Sequence, residues 1–146
     1  MDQRISLVTL GVRDLERAAA FYDRLGWRRS VRGAEGVAFY QVGGMALALW
    51  PRADLAADAG IEDSDAGKGI PGFAGIALAY NTRTLDEVDA VLAEAKAAGG
   101  TIVRPAQKAS WGGYTGYFAD TEGNLWEVAH NTGFAMADDG SLILPD

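Results

Sequence analysis

One order of elements runs through this 146-residue chain twice. Ile5-Ser6-Leu7-Val8-Thr9-Leu10-Gly11-Val12 is apolar and β-branched, and reads as a strand buried over most of both faces. Asp14 stands where a helix N-cap belongs. Leu15, Ala18, Tyr22 and Leu25 then recur at helical spacing, and Gly26 is a stop. Trp27 to Val31, Val37 to Val42 and Met45 to Trp50 follow as three short strands, divided by glycine turns at Gly33–Gly36 and Gly43-Gly44. The order returns with a strand from Phe73 to Tyr80. Thr84 and Glu87 form a capping box, and Leu85, Val88, Leu92 and Ala95 make one apolar stripe that Gly99-Gly100 ends. Thr101 to Val103, Tyr114 to Ala119 and Leu125 to His130 complete the second set, with a turn over Asp120 to Asn124. From Leu15 to Leu85 the offset is 70 residues. Solenoid units run about 20–50 residues, so this repeat is a duplicated half-domain.

Arg52 to Gly72 joins the halves as a linker-like stretch. Asp54, Asp58, Glu62, Asp63 and Asp65 make it acidic, which suits either a solvated connection or a flap over a ligand. The tail from Thr132 to Asp146 holds an Asp139-Gly140 turn and a short apolar Leu142-Ile143-Leu144, fit for an edge strand or for the surface. With 13 Lys+Arg against 20 Asp+Glu the net charge is −7, the wrong sign for neutralising phosphates, so nucleic acid is not an expected partner. No apolar run approaches the roughly 18 residues of a membrane span. Met1-Asp2-Gln3-Arg4 lacks the regions of a signal peptide, and a cytoplasmic location is expected. The absence of Cys removes disulfides, thiol nucleophiles and Cys-based metal sites, and a single His leaves little material for a Ser/His/Asp triad. Neither glycine pair fits a phosphate loop.

Val12-Arg13-Asp14-Leu15-Glu16-Arg17, Phe21-Tyr22 and Leu25-Gly26 in the first half resemble the vicinal oxygen chelate superfamily. In the second half, Leu92 to Gly100 and the run from Gly116 to Glu127 carry the same likeness. That superfamily includes glyoxalase I, extradiol dioxygenases, fosfomycin resistance enzymes and bleomycin resistance proteins. Thr121 stands where the family's Asp-Pro-x-Gly-Asn turn has Pro. Trp111-Gly112-Gly113-Tyr114 also looks like a glyoxalase-like subgroup. The resemblance implies an α+β fold: one domain over residues 1–146, built of two tandem βαβββ modules whose mixed sheets curl into a cup with the helices outside. Module 1 is 5–51, the linker 52–72, module 2 73–131 and the tail 132–146.

Active members of the family hold one divalent metal in the cup. Carried over residue by residue, the four ligand positions are Leu7, Ala48, Gly75 and Glu127. Three of these offer no donor, and one carboxylate does not hold a metal, so no metal and no other cofactor is expected. His130 lies three residues past Glu127, and strand alternation turns it to the opposite face. If Leu7 and Glu127 line the cup, alternation adds Ile5, Thr9, Gly11, Ala46, Ala48, Trp50, Gly75, Ala77, Ala79, Leu125 and Ala129. These are mostly small, and small residues vacate volume that a packed core would fill. Thr9, Trp50, Trp111 and Tyr114 are candidate polar and aromatic walls for a planar or hydrophobic ligand. Glu127 is the candidate catalytic residue. It has three readings: a general acid or base, an anchor for a cationic or hydrogen-bonding group, or a partner of a nearby Arg or Tyr hydroxyl.

The expected function is a glyoxalase- or bleomycin-resistance-like protein that binds a small organic molecule in the cup without the usual metal. The alternative is a superfamily enzyme of lyase, isomerase or dioxygenase type, using Glu127 with a non-standard metal site or none. The family resemblance and the unpaired sheet edges predict a two-fold homodimer, with each cup formed within one chain in preference to the alternative of modules exchanged between chains. Sedimentation at micromolar concentration is expected to show the dimer, and a single species near 15.4 kDa would overturn it.

Overall fold

A capped helix follows the first strand of each half. In a computed structural model that describes residues 6–59, 63, 76–110 and 112–143, the Asp14 carboxylate accepts from the Arg17 amide at 2.9 Å. It starts α1 (Leu15–Arg24) directly after β1 (Leu7–Val12). Thr84 and Glu87 form the expected reciprocal capping box at the start of α3 (Leu85–Ala97). The chain divides into two compact units, Met1–Gly72 and Phe73–Asp146.

The first unit continues through β2 (Arg29–Ser30), β3 (Ala38–Val42) and β4 (Met45–Pro51) to α2 (Arg52–Asp58). Its sheet has the order β1-β4-β3-β2, with β1 parallel to β4 and the other pairs antiparallel. The second unit holds β5 (Leu78–Asn81), α3, β6 (Thr101–Lys108), β7 (Tyr114–Ala119) and β8 (Leu125–His130). Its order, β5-β8-β7-β6, repeats the first with β5 parallel to β8. The fold is therefore α+β with two tandem βαβββ modules.

In each unit the helix covers one face of the sheet. Phe21 and Tyr22 of α1 are fully buried, as are Tyr40, Leu49 and Val12 of the sheet. The Tyr40 hydroxyl donates to the Ala19 carbonyl at 3.1 Å and to Asp23 at 3.3 Å, and Arg29 grips the same carboxylate at 2.7 Å. Burial, followed by the charge of Asp23, pushes the Tyr40 phenol up to about 12. In the second unit Val88, Leu92 and Ala95 of α3 are buried, as are Phe118, Trp126 and Val128 of the sheet. The rings of Phe118 and Trp126 stack at 6.0 Å. Gly116 of β7 lies under Leu92: a Cβ there would stand 2.5 Å from Leu92 Cδ1 and 3.0 Å from the Ala106 backbone nitrogen.

Four elements differ from the sequence reading. The linker does not begin as a solvated connection, because Arg52–Asp58 is helical from Pro51 onward. Leu55 and Ala56 are half-buried, and Gly11 leaves room for the helix, with its missing Cβ 3.0 Å from Arg52 Cγ and 3.4 Å from Leu55 Cδ2. Arg52 also pairs with Asp63 at 2.7 Å. Secondly, β6 runs past Pro105 to Lys108, through register shifts on either side of Arg104. It is an edge strand, where a missing N–H and bulges are tolerated. Thirdly, β1 is less buried than its apolar run suggests, with Leu7 44% exposed. Finally, the tail forms its own hairpin of β9 (Ala135–Met136) and β10 (Leu142–Ile143) around the expected turn. Arg83 tethers it by donating to the Ala137 carbonyl at 2.6 Å. No helix among the described residues is long and apolar enough to cross a membrane.

The Asp120 turn between β7 and β8 is closed by its own carboxylate, which accepts from the Glu122 and Asn124 amides at 2.9 and 2.8 Å. Beside it the Thr121 hydroxyl oxygen is buried and has no hydrogen-bond partner among the described residues. Removing an unsatisfied buried hydroxyl at constant shape recovers its desolvation cost. Thr121→Val should therefore gain about 1 kcal/mol, read as a higher urea midpoint at unchanged slope.

Candidate functional site

Strand pairing decides which side chains share the face opposite each helix. In the first unit Leu7 pairs with Ala46, Thr9 with Ala48 and Gly11 with Trp50, which puts all six on that face. Ala48 is buried, Thr9 and Trp50 are half-buried, and Leu7 is exposed. α2 lies over the Gly11 end of this face. In the second unit Ala79 pairs with Glu127, Glu127 with Tyr117 and Tyr117 with Arg104. These four are successive neighbours across the sheet, and Thr115 lies diagonally beside Glu127 through its pairing with Ala129. Ala77 precedes β5 on the same alternation and is exposed. Gly75 and Trp111, as well as Ile5, lie outside the described residues.

Glu127 is half-buried and held from β7. Its Oε1 accepts from the Thr115 hydroxyl at 2.9 Å and from the Tyr117 hydroxyl at 3.0 Å. Among the described residues nothing donates to Oε2. Arg104 does not pair with this carboxylate: its guanidinium sits 4.9 Å over the Tyr117 ring and donates to the Thr115 carbonyl at 3.2 Å. Burial raises the Tyr117 phenol above its ordinary range; the hydrogen bond to Glu127 and the charge of Glu127 add to this, and Arg104 opposes it. Tyr117 thus stays a neutral donor throughout the physiological range. Thr115, Tyr117 and Arg104 were not among the residues expected from the sequence.

Tyr114 departs from expectation. It pairs with His130, on the face opposite Glu127, and its hydroxyl donates to Asp89 of α3 at 3.2 and 3.3 Å. It lies three residues before Tyr117, an odd step along the same strand, so alternation turns it to the helix side. It therefore does not share the face of Glu127. His130 Nδ1 lies 3.3 Å from the Thr82 carbonyl oxygen, also away from Glu127.

A family model described as Glyoxalase/Bleomycin resistance protein/Dioxygenase superfamily matches residues 4–128. The chain belongs to that superfamily. Among solved structures, this superfamily member is similar to a glyoxalase-related enzyme from Fulvimarina pelagi, at 36% identity over 99% of both chains and a TM-score of 0.87. It is also similar to a glyoxalase/bleomycin resistance protein/dioxygenase from Nocardioides, at 25% identity over 89% of this chain and 84% of that one, with a TM-score of 0.73. A lactoylglutathione lyase from Agrobacterium tumefaciens, 22% identical over 90% of this chain and 95% of that one, shares the fold at a TM-score of 0.64. No curated protein matches the chain.

Members of the superfamily often use a divalent metal, and few donors stand at the described positions where the family's ligands would be. Leu7 and Ala48 end in hydrocarbon, and Glu127 is the one donor among the described ligand positions. By register, Ala77 stands to Glu127 as Leu7 stands to Ala48, and it brings no donor either. Among the described residues no group of three His, Asp or Glu is placed to hold an ion.

In this superfamily member the coupling between Tyr117 and Glu127 is measurable directly. Glu127→Gln removes the carboxylate charge, so the Tyr117 phenol should titrate lower than in the parent; Arg104→Met should move it higher. NMR titration of ring-labelled tyrosine checks both, and no movement in either variant would place Tyr117 outside the reach of both charges.

Proposed function

We propose that this superfamily member binds a small organic molecule in the cup that the family's paired modules form, and does so without the usual divalent metal. One observation supports the reading above the rest. The positions that would carry metal ligands hold Leu7, Ala48 and, from the sequence, Gly75, and the described faces of the two sheets carry Gly11, Ala46, Ala48, Ala77, Ala79 and Ala129. A face that loses its donors but keeps small residues offers room in place of coordination. Thr9, Trp50 and the Glu127 group leave a few polar and aromatic contacts to orient a ligand. Binding unaltered, as bleomycin resistance proteins bind their antibiotic, needs no more than this.

Protein purified without a metal-chelating tag should contain far less than one metal ion per chain by elemental analysis. Stoichiometric nickel, zinc, iron or manganese would overturn the metal-free reading. A thermal-shift screen of small aromatic and heterocyclic compounds should yield ligands that raise Tm by mass action. Ala79→Trp fills the exposed space beside Glu127 and should abolish those shifts without lowering the unliganded Tm. Hits that bind Ala79→Trp as well as the parent would place the site elsewhere.

A further inference from the structure

We infer that Glu127 is a fixed receptor for a protonated organic amine, so that the ligand's anchoring group is a cationic nitrogen. The inference rests on the small-molecule reading above and names the class of molecule. Both groups that hold Glu127 are hydroxyls, which orient a carboxylate but bring no positive charge into direct contact with it. They converge on one oxygen, so Oε1 is committed and Oε2 is left to accept. The guanidinium in the same row, Arg104, is engaged by the Tyr117 ring and the Thr115 carbonyl.

The neighbours of the carboxylate across the strands and along β8 add no positive charge. Ala79 and Tyr117 flank it, and Leu125 and Ala129 lie two residues away on the same face. A half-buried carboxylate beside methyl groups is poorly solvated, and a cation that also donates a hydrogen bond restores what it has lost. An ammonium adds the attraction of opposite charges to the hydrogen bond, which a neutral hydroxyl on the same carboxylate does not. A divalent ion asks for several ligands at fixed geometry, whereas an ammonium group is satisfied by one carboxylate oxygen and water. Ala77 and Ala79 are exposed and leave space for the apolar body that carries the amine. The net charge of −7 favours the approach of a cation over that of an anion.

The test uses three probes with one ring and different charge: benzylammonium, benzyl alcohol and benzoate. Each is titrated into the ¹⁵N-labelled full chain and followed by amide shifts. Benzylammonium should shift the amides of Ala79, Glu127 and Ala129 saturably, and the other two should bind at least about tenfold more weakly. Glu127→Gln should weaken benzylammonium by about tenfold or more, and Tyr117→Phe, which frees the carboxylate to swing, by severalfold. Ala79→Trp, a change at an exposed position, should abolish the shifts even if Glu127→Gln folds poorly. Equal binding of the alcohol or of benzoate, or full retention by a folded Glu127→Gln, overturns the inference but leaves the small-molecule reading standing. No saturable shift from any probe also overturns it, and the thermal-shift screen then decides the broader reading separately.

Discussion

A helix laid on one face of a four-stranded sheet decides which side chains remain for other work. In the second unit the apolar stripe of α3 is buried, as are Phe118, Trp126 and Val128 of the sheet. Each large side chain so buried contributes about 1.5–3 kcal/mol, against about 0.5–1.5 kcal/mol for a hydrogen bond. Packing therefore sets the register, and a slip of one residue would exchange the faces. Once Phe118 and Trp126 face the helix, Tyr117 and Glu127 have to meet on the other side. The polar group is the complement of the core.

Duplication repeated the backbone and left the side chains free to diverge. Crossing the second sheet in line with Glu127, one meets Arg104, Tyr117, Glu127 and Ala79. The corresponding row in the first sheet is Ser30, Phe39, Ala48 and Thr9. Where one copy has a phenol the other has a phenyl ring, and where one has a carboxylate the other has a methyl group. The first sheet presents a largely apolar row and the second an oriented charge, from the same strand order.

Local signals carried most of the fold. The Asp14 cap, the capping box of Thr84 and Glu87, and the strands Tyr114–Ala119 and Leu125–His130 could be read residue by residue, because caps and turns act over a few neighbours. The helix Arg52–Asp58 is masked in the sequence by the acidic residues around it, although Pro51 and the Ala-rich run after it are helix-compatible. The continuation of β6 past Pro105 depends on its edge position, a tertiary fact. The site was only half legible. The contact of Glu127 with its two hydroxyls depends on β7, whose alternation puts Thr115 and Tyr117 on the face of Glu127 and Tyr114 on the helix side. The missing signal was present: Tyr117 and Glu127 are equidistant from Glu122 in the turn, which pairs them in any hairpin closed there.

Gly116 has a mechanical consequence. It is the one glycine in β7, and Leu92 sits over the gap that it leaves. Sliding α3 along the sheet by a turn, about 5.4 Å, would drive Leu92 against strand positions that carry side chains. The helix is keyed to the strand like a peg in a slot. Shear between these layers is thereby closed off as a way for the second unit to change shape, which leaves strand ends and loops to supply its motion.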